Sequence, residues 1–186
     1  KKLSVQLFAL ALMFLSSGIV RAQLSGTVTI GSGGSYASWS AFASDLTSKG
    51  VNGALTVNVL DDLSESSIVY LKTSTTTSTN SITINGNKKK LSSSNNDAAI
   101  ILDGIDYVTI DGLIIDKTTS SIDAKGFQFM NGADYNKIIN CTINMSQLTT
   151  STSSTLSGGA YVVFSNSVTS MSFSFSSKVT VRNLDH

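Results

Sequence analysis

Short apolar segments alternate with polar clusters along most of the chain. Segments rich in Val, Ile, Thr and Phe, separated by Gly, Asn, Asp or Ser, predict β-strands. These segments are Thr27–Ile30, Leu55–Leu60, Ile68–Leu71, Ile82–Ile84, Ala99–Leu102, Tyr107–Ile110, Leu113–Ile115, Phe127–Met130, Lys137–Ile143, Tyr161–Phe164 and Lys178–Leu184. The pattern indicates an all-β chain.

One segment near the start has a helical period instead. Its apolar residues recur at i, i+3, i+4 and i+7, which places them on one face of a helix spanning 38–49. Ser35 or Ser38 is expected to cap the start of this helix, and Gly50 to end it. The apolar residues are Trp39, Phe42, Ala43 and Leu46.

The second half of the chain contains a repeat. Residues 101–116 (ILDGIDYVTIDGLIID) align with residues 129–144 (FMNGADYNKIINCTIN) at an offset of 28, and a weaker third copy follows within 162–184. A period of this size predicts stacked units, here the coils of a parallel β-helix. The matched positions are Asp103 with Asn131, Gly104 with Gly132, Asp106 with Asp134, Tyr107 with Tyr135, Ile110 with Ile138, Ile115 with Ile143, and Asp116 with Asn144.

Three segments resemble a known superfamily. IGSGGSYASWSAFASDL (30–46), YVTIDGLIID (107–116) and YNKIINCTIN (135–144) are similar to secreted right-handed parallel β-helix proteins of the pectin-lyase-like superfamily, especially exported repeat proteins of Gram-negative bacteria. The resemblance implies a right-handed parallel β-helix whose N-terminal helix caps the first coil. It leaves activity open, because this scaffold carries lyases, hydrolases, esterases, adhesins and binding modules.

The N-terminal residues favour export. Two lysines precede the apolar run Leu7–Leu15, and residues 20–22 (VRA) match a signal-peptidase site. The run is too short to span a bilayer. We therefore expect a signal peptide over 1–22, a mature protein starting at Gln23 that is secreted or held at the cell surface, and no stable membrane span after cleavage.

The mature chain is expected to have two parts. A first strand and capping helix occupy 23–53, and β-helix coils occupy 54–186. The third repeat stops at Leu184 without a helix or polar cap, and the chain does not begin with methionine. These observations predict that the C-terminal end is truncated and that the uncapped last coil associates end to end with another copy.

Composition narrows the chemistry. The chain has 186 residues, of which 13% are charged, and a formal net charge of +1, which gives no support for a nucleic-acid partner. Cys141 is the one cysteine and lies in an apolar run, where a buried structural thiol is expected. His186 is the one histidine. We therefore predict no disulfide, no His-based metal site and no cofactor.

The repeated turns supply the candidate binding residues. Asp106 and Asp134 form an acidic pair on adjacent coils, and Tyr107 and Tyr135 follow them, where they are able to stack on a sugar ring. The structural alternative is that the aspartates bond to backbone N–H groups in turns and that the tyrosines pack between coils. The cluster 88–90 (KKK) is either a contact for an acidic glycan or a solvated turn.

The enzymatic members of the superfamily provide no catalytic residue here. Polygalacturonase-like sites use a Gly-His-Gly element, which is absent, and pectate-lyase-like sites use a basic residue, commonly Arg, whereas the mature segment has only Arg182. Asp61 and Asp62 lack the pectinesterase-like context and are expected to close a turn. An ice-binding array is disfavoured, because the Thr-rich run Thr73–Thr79 is continuous instead of recurring once per coil.

Two function classes remain. We favour a non-catalytic extracellular or cell-surface module that presents a Ser/Thr/Asn-rich face to a polysaccharide or cell-surface glycan. The alternative is the N-terminal part of a polysaccharide lyase or glycoside hydrolase whose active site lies on later coils.

Overall fold

The described part of the chain forms a parallel β-solenoid of about four turns. The computed structural model describes residues 22–119, 121 and 124–144, and the backbone of 162–165. Among these residues, three sheets, all with parallel pairing, run along the stack, and one helix lies near the N terminus. The predicted parallel, mostly β architecture is confirmed.

From β2 onward, each turn of the solenoid contributes one strand to each sheet, and β1 adds a fifth strand to sheet A. The strands are β1 (Leu24–Ile30), β2 (Val51–Val59), β3 (Leu63–Glu65), β4 (Val69–Leu71), β5 (Ile82–Asn85), β6 (Lys90–Ser93), β7 (Ala98–Asp103), β8 (Val108–Asp111), β9 (Ile114–Lys117), β10 (Lys125–Met130), β11 (Lys137–Ile139), β12 (Thr142–Asn144) and β13 (Val162–Ser165). Sheet A has the order β1-β2-β5-β8-β11, sheet B β3-β6-β9-β12, and sheet C β4-β7-β10-β13.

Aliphatic side chains stack in columns inside the solenoid. In sheet A, Ile84, Ile110 and Ile138 lie in register and are buried. In sheet B, Ile115 pairs with Ile143 in the same way. Neighbouring strands lie about 4.8 Å apart, so each member contacts the equivalent residue of the next coil. The register confirms two matched positions of the repeat, Ile110 with Ile138 and Ile115 with Ile143.

Helix α1 (Trp39–Lys49) covers the start of the stack. The Ser38 hydroxyl accepts a hydrogen bond from the Ala41 N–H at 3.1 Å, and Gly50 ends the helix with φ 66°, which favours glycine. The predicted apolar face is buried and packs towards β1, β3 and β4. The predicted helix, its cap and its buried face are confirmed.

Glu65 of β3 joins this helix to the first coil. Its Oε1 accepts a hydrogen bond from the Ser40 N–H at 3.1 Å, and its Oε2 accepts one from the Ser40 hydroxyl at 2.6 Å. A carboxylate at a helix N-terminus interacts favourably with the helix dipole and bonds the N–H groups that lack intrahelical partners. Both oxygens of this nearly buried side chain therefore have partners.

A second buried charge lies in the same sheet. Lys117 of β9 is fully buried, and its Nζ lies 2.9 Å from Ser93 Oγ, 2.7 Å from the Asp97 carbonyl oxygen, 2.9 Å from the Asn95 carbonyl oxygen and 3.0 Å from Asn95 Oδ1. We call these four oxygens the Lys117 cage. Burial lowers the pKa of this ammonium to about 8, and the Asp97 carboxylate opposes part of that shift. The Ser/Thr-rich run 117–121 predicts an exposed turn from sequence, and the buried position of Lys117 at the end of β9 corrects that prediction.

Several strand predictions need correction. Strands β3 and β6 were not predicted, and the strand predicted over Lys137–Ile143 is two strands separated by a corner at Asn140, where φ is 53°. The offset of 28 also fails between β7 and β10, where Phe129 pairs with Leu102 at an offset of 27. The turn that follows β10 contains the extra residue.

Some predictions fall on residues outside the described ranges. They are the signal sequence up to residue 21, the strand over 178–184 and the uncapped end at His186. Within the described ranges, no helix has both the length and the apolar character needed to cross a membrane.

Candidate ligand-binding face

The outer side of sheet A carries two columns of polar residues. Between the inward-facing aliphatic residues, a Thr-x-Thr, Thr-x-Asn or Thr-x-Asp triplet recurs on β1, β2, β5 and β8. We call these eight residues the polar face. They are Thr27, Thr56, Thr83 and Thr109 in one column and Thr29, Asn58, Asn85 and Asp111 in the other.

The register brings these triplets together, although they are 26 to 29 residues apart in the sequence. The repeated sequence TVT, TVN, TIN and TID was a signal that sequence reasoning missed. Threonine recurs here once per coil, whereas in the run Thr73–Thr79 it does not. Outward threonines in register pair favourably across strands, so the columns also stabilise the sheet.

Side-chain hydrogen bonds order the second column. Asn85 Nδ2 donates to Asn58 Oδ1 at 2.8 Å, and Asn140 Nδ2 donates to Asp111 Oδ1 at 2.8 Å. A similar bond at another corner, from Asn131 Nδ2 to Asp103 Oδ1 at 2.5 Å, joins a matched Asp–Asn pair of the repeat. These amides and carboxylates are therefore held in fixed orientations.

Tyr107 and Tyr135 lie at the edge of the polar face, where strands β8 and β11 begin. Their rings are stacked, with centroids 4.8 Å apart and an interplanar angle of 6°, and Tyr135 is 54% exposed. Both residues have left-handed backbones, with φ of 54° and 56°. A bulky residue seldom adopts this conformation, and such conformations cluster at functional sites. The predicted packing between coils is confirmed as a ring stack.

Hydrogen bonds between the turns hold the tyrosines in place. Asp106 Oδ1 accepts a hydrogen bond from the Asp134 N–H at 2.7 Å, so the predicted turn chemistry of Asp106 is confirmed. The buried Asn136 accepts a bond from the Val108 N–H and donates one to the Ile105 carbonyl, both at 2.8 Å. Sequence reasoning missed Asn136, which fixes the backbone next to both rings.

A polar groove lies on the same corner as the tyrosine pair. It has a volume of about 460 Å³, inside the range of about 300–1,000 Å³ typical of small-molecule sites. Lys72 Nζ contacts Asp103 Oδ2 at 2.8 Å on one side, and Lys49 lines the other. The lining residues are Thr47, Ser48, Lys49, Gly50, Lys72, Thr73, Ser74, Thr75, Asp103, Gly104 and Asn131.

The ion pair in the groove should make the fold sensitive to acid. The hydrogen bond from Lys72 lowers the pKa of the Asp103 carboxyl, against a smaller rise from burial. Ionised Asp103 therefore stabilises the fold above the unfolded-state pKa of about 3.9, and this contribution is lost as pH falls through the lower folded-state pKa. We expect Lys72→Gln to lose less unfolding free energy than the unmodified protein between about pH 5 and about pH 2 in urea titrations.

Lys88→Gln is the matched control for that measurement, because Lys88 lies at an exposed turn away from the groove. Its acid sensitivity should equal that of the unmodified protein. Equal acid sensitivity in Lys72→Gln would show that the Lys72–Asp103 pair does not contribute to stability.

The remaining candidates lie in turns, except Lys90, which begins β6. Asn87 and Lys88 form a left-handed turn, with φ of 52° and 57°, and Lys90 Nζ lies 3.9 Å from Asp116 Oδ2. Asp61 Oδ2 accepts a bond from the Ser32 N–H at 2.7 Å, and Asp62 Oδ1 accepts one from the Lys90 N–H at 2.8 Å. The structural interpretation of Asp61 and Asp62 is confirmed.

Cys141 is packed against the core. Its Sγ lies 3.4 Å from the Leu113 amide nitrogen, and burial raises the pKa of the thiol to about 11. The predicted structural role of the thiol is confirmed, although Cys141 is half-buried instead of fully buried. In the part of the chain that the structure describes, no three His, Cys, Asp or Glu side chains come together as a metal-binding group.

Comparisons with protein families, with curated proteins and with solved structures find no match for this chain.

Proposed function

We propose that the protein is an exported, non-catalytic module that binds a polysaccharide or cell-surface glycan through the polar face and the tyrosine pair. The observation that carries this proposal is the ring stack of Tyr107 and Tyr135 on left-handed backbones at the edge of the polar face.

The chemistry of this surface suits a sugar chain. Sugar rings combine apolar C–H surfaces with hydroxyl groups, and the surface combines an exposed aromatic ring with threonine hydroxyls and amide groups. Inter-coil hydrogen bonds hold the amide groups of the second column before any ligand arrives, which reduces the entropy cost of binding.

Sequence features support the cellular context of this proposal. The signal-peptide pattern over 1–22 favours secretion or display at the cell surface, and the resemblance to exported right-handed parallel β-helix proteins favours a Gram-negative bacterial source. The near-neutral charge is consistent with a glycan partner and gives no support for nucleic acid.

Polysaccharide cleavage has weaker support. A general acid or nucleophile must reach its substrate, whereas one oxygen of Asp106 is bonded to the Asp134 backbone. Turn geometry therefore explains Asp106, the first member of the acidic pair, and binding is the better-supported function.

We expect Tyr135→Ala to weaken glycan binding about tenfold, because the exposed ring supplies the stacking contact. A panel of neutral and acidic oligosaccharides identifies a ligand, and calorimetry then measures its Kd. Tyr70→Ala is the matched control, since Tyr70 is 45% exposed on sheet C, and it should bind as the unmodified protein does.

Three outcomes contradict this proposal. Equal losses of glycan affinity in Tyr70→Ala and Tyr135→Ala would show that the tyrosine pair is not part of the binding site. Release of cleavage products that Asp106→Asn abolishes would favour the enzyme alternative. If the protein shapes ice crystals and binds no glycan, the threonine columns are an ice-binding surface.

A further inference from the structure

We propose that the groove beside the tyrosine pair is a second subsite for the same ligand, and that this ligand is an uncharged, hydroxyl-rich glycan of several sugar units. The inference rests on the proposed glycan-binding function and specifies its ligand.

The charges of the groove favour an uncharged ligand. Lys49 Nζ contacts Asp45 Oδ2 at 2.7 Å, and Lys72 Nζ contacts Asp103 Oδ2 at 2.8 Å. Both ammonium groups that line the groove therefore have carboxylate partners. A uronate would have to compete with Asp45 and Asp103 for these ammonium groups, whereas a neutral sugar leaves both ion pairs intact.

The other lining groups suit sugar hydroxyls. Five lining residues carry hydroxyl groups, which donate and accept hydrogen bonds. The last turn of α1 adds backbone carbonyls, which at a helix C-terminus lack intrahelical partners and have partial negative charge. Ligand hydroxyls are donors that match these carbonyls. The hydroxyl-bearing residues are Thr47, Ser48, Thr73, Ser74 and Thr75.

The wall of the groove is formed before binding. Thr75 Oγ1 accepts a hydrogen bond from the Val51 N–H at 2.7 Å and lies 3.0 Å from Thr73 Oγ1. A Cβ atom on Gly50 would come within 2.6 Å of Thr75 Oγ1, so the loop and the end of the helix are in close contact. A preorganised wall of this kind reduces the entropy cost of binding.

The groove and the tyrosine pair share two turns. Gly104 lines the groove, and Tyr107 follows it in the turn before β8. Asn131 lines the groove, and Tyr135 follows it in the turn before β11. The Asp106 N–H also donates to Thr76 Oγ1 at 3.3 Å. This bond connects the turn before β8 to the loop between β4 and β5, which lines the groove. One chain of several sugars is therefore able to contact both places.

Ser74→Trp tests the second subsite, because Ser74 is exposed on the groove wall and a large ring there fills the groove. Ser78→Trp is the matched control: Ser78 is exposed on the same loop but does not line the groove. The probes are neutral glucan, xylan and mannan oligosaccharides of three and six units, and a galacturonate hexamer.

We expect a neutral hexamer to bind more tightly than its trimer. Ser74→Trp should weaken the hexamer about tenfold, to the level of the trimer, and Ser78→Trp should leave both unchanged. Tyr135→Ala should weaken both lengths. This pattern separates the groove from the tyrosine site.

The opposite results overturn the inference at different points. If Ser74→Trp leaves the affinity for the hexamer unchanged, the groove is not part of the binding site. That result leaves the proposal for the tyrosine pair intact. Tighter binding of the galacturonate hexamer would refute an uncharged ligand. No binding of any probe by the unmodified protein would refute both the proposed function and this subsite.

Discussion

Lys117→Met should destabilise the protein by about 2–3 kcal/mol, since leaving a buried hydrogen-bond acceptor without its donor costs about 1–3 kcal/mol. The thioether fills much of the volume of the ammonium side chain but donates no hydrogen bond. The oxygens of the Lys117 cage on Ser93, Asn95 and Asp97 then lose a buried donor. Urea unfolding, followed by circular dichroism, measures the change in unfolding free energy.

Lys125→Met is the matched control for this substitution. Lys125 pairs with Asp97 Oδ1 at 2.5 Å, but this ion pair is partly exposed, so its loss should cost less than about 1 kcal/mol. Similar costs for the two variants would show that the Lys117 cage contributes no more than a surface ion pair.

Ile110→Ala should cost about 2–5 kcal/mol. Ile110 is fully buried between Ile84 and Ile138, so the substitution leaves a cavity in the column and removes contacts with the coils on both sides. The midpoint of urea unfolding should fall accordingly. Ile114→Ala, on the outer side of β9, should change stability by less than about 1 kcal/mol. A cost for Ile110→Ala as small as that of Ile114→Ala would contradict the stacked core.

The parts of the fold that depend on apolar periodicity were predictable from sequence. The helix followed from four apolar residues on one face, and the stacking followed from the repeat. Strands β3 and β6 were missed because one inward row of sheet B is polar: Glu65, Ser93 and Lys117 lie in register there. Each of these side chains has a hydrogen-bond partner that is distant in sequence. The sequence of a short segment does not show such partners.

The candidate site was predictable only in part. The repeat identified Tyr107 and Tyr135, because equivalent residues of adjacent coils must lie close together. The polar face was not identified, since its columns depend on register between coils of unequal length. Asn136 was missed for a related reason: its bonds to Val108 and Ile105 depend on an inward orientation that the sequence pattern does not show.

The contact between Glu65 and Ser40 limits where an additional coil can be inserted into the solenoid. The carboxylate belongs to the first coil and its partner to the helix, so a coil inserted between them would leave a buried charge without its hydrogen bonds. A coil inserted further along the stack would contact only its neighbours and leave this pair intact. We therefore expect a coil inserted between the helix and Glu65 to destabilise the fold, and a coil inserted later in the solenoid to be tolerated.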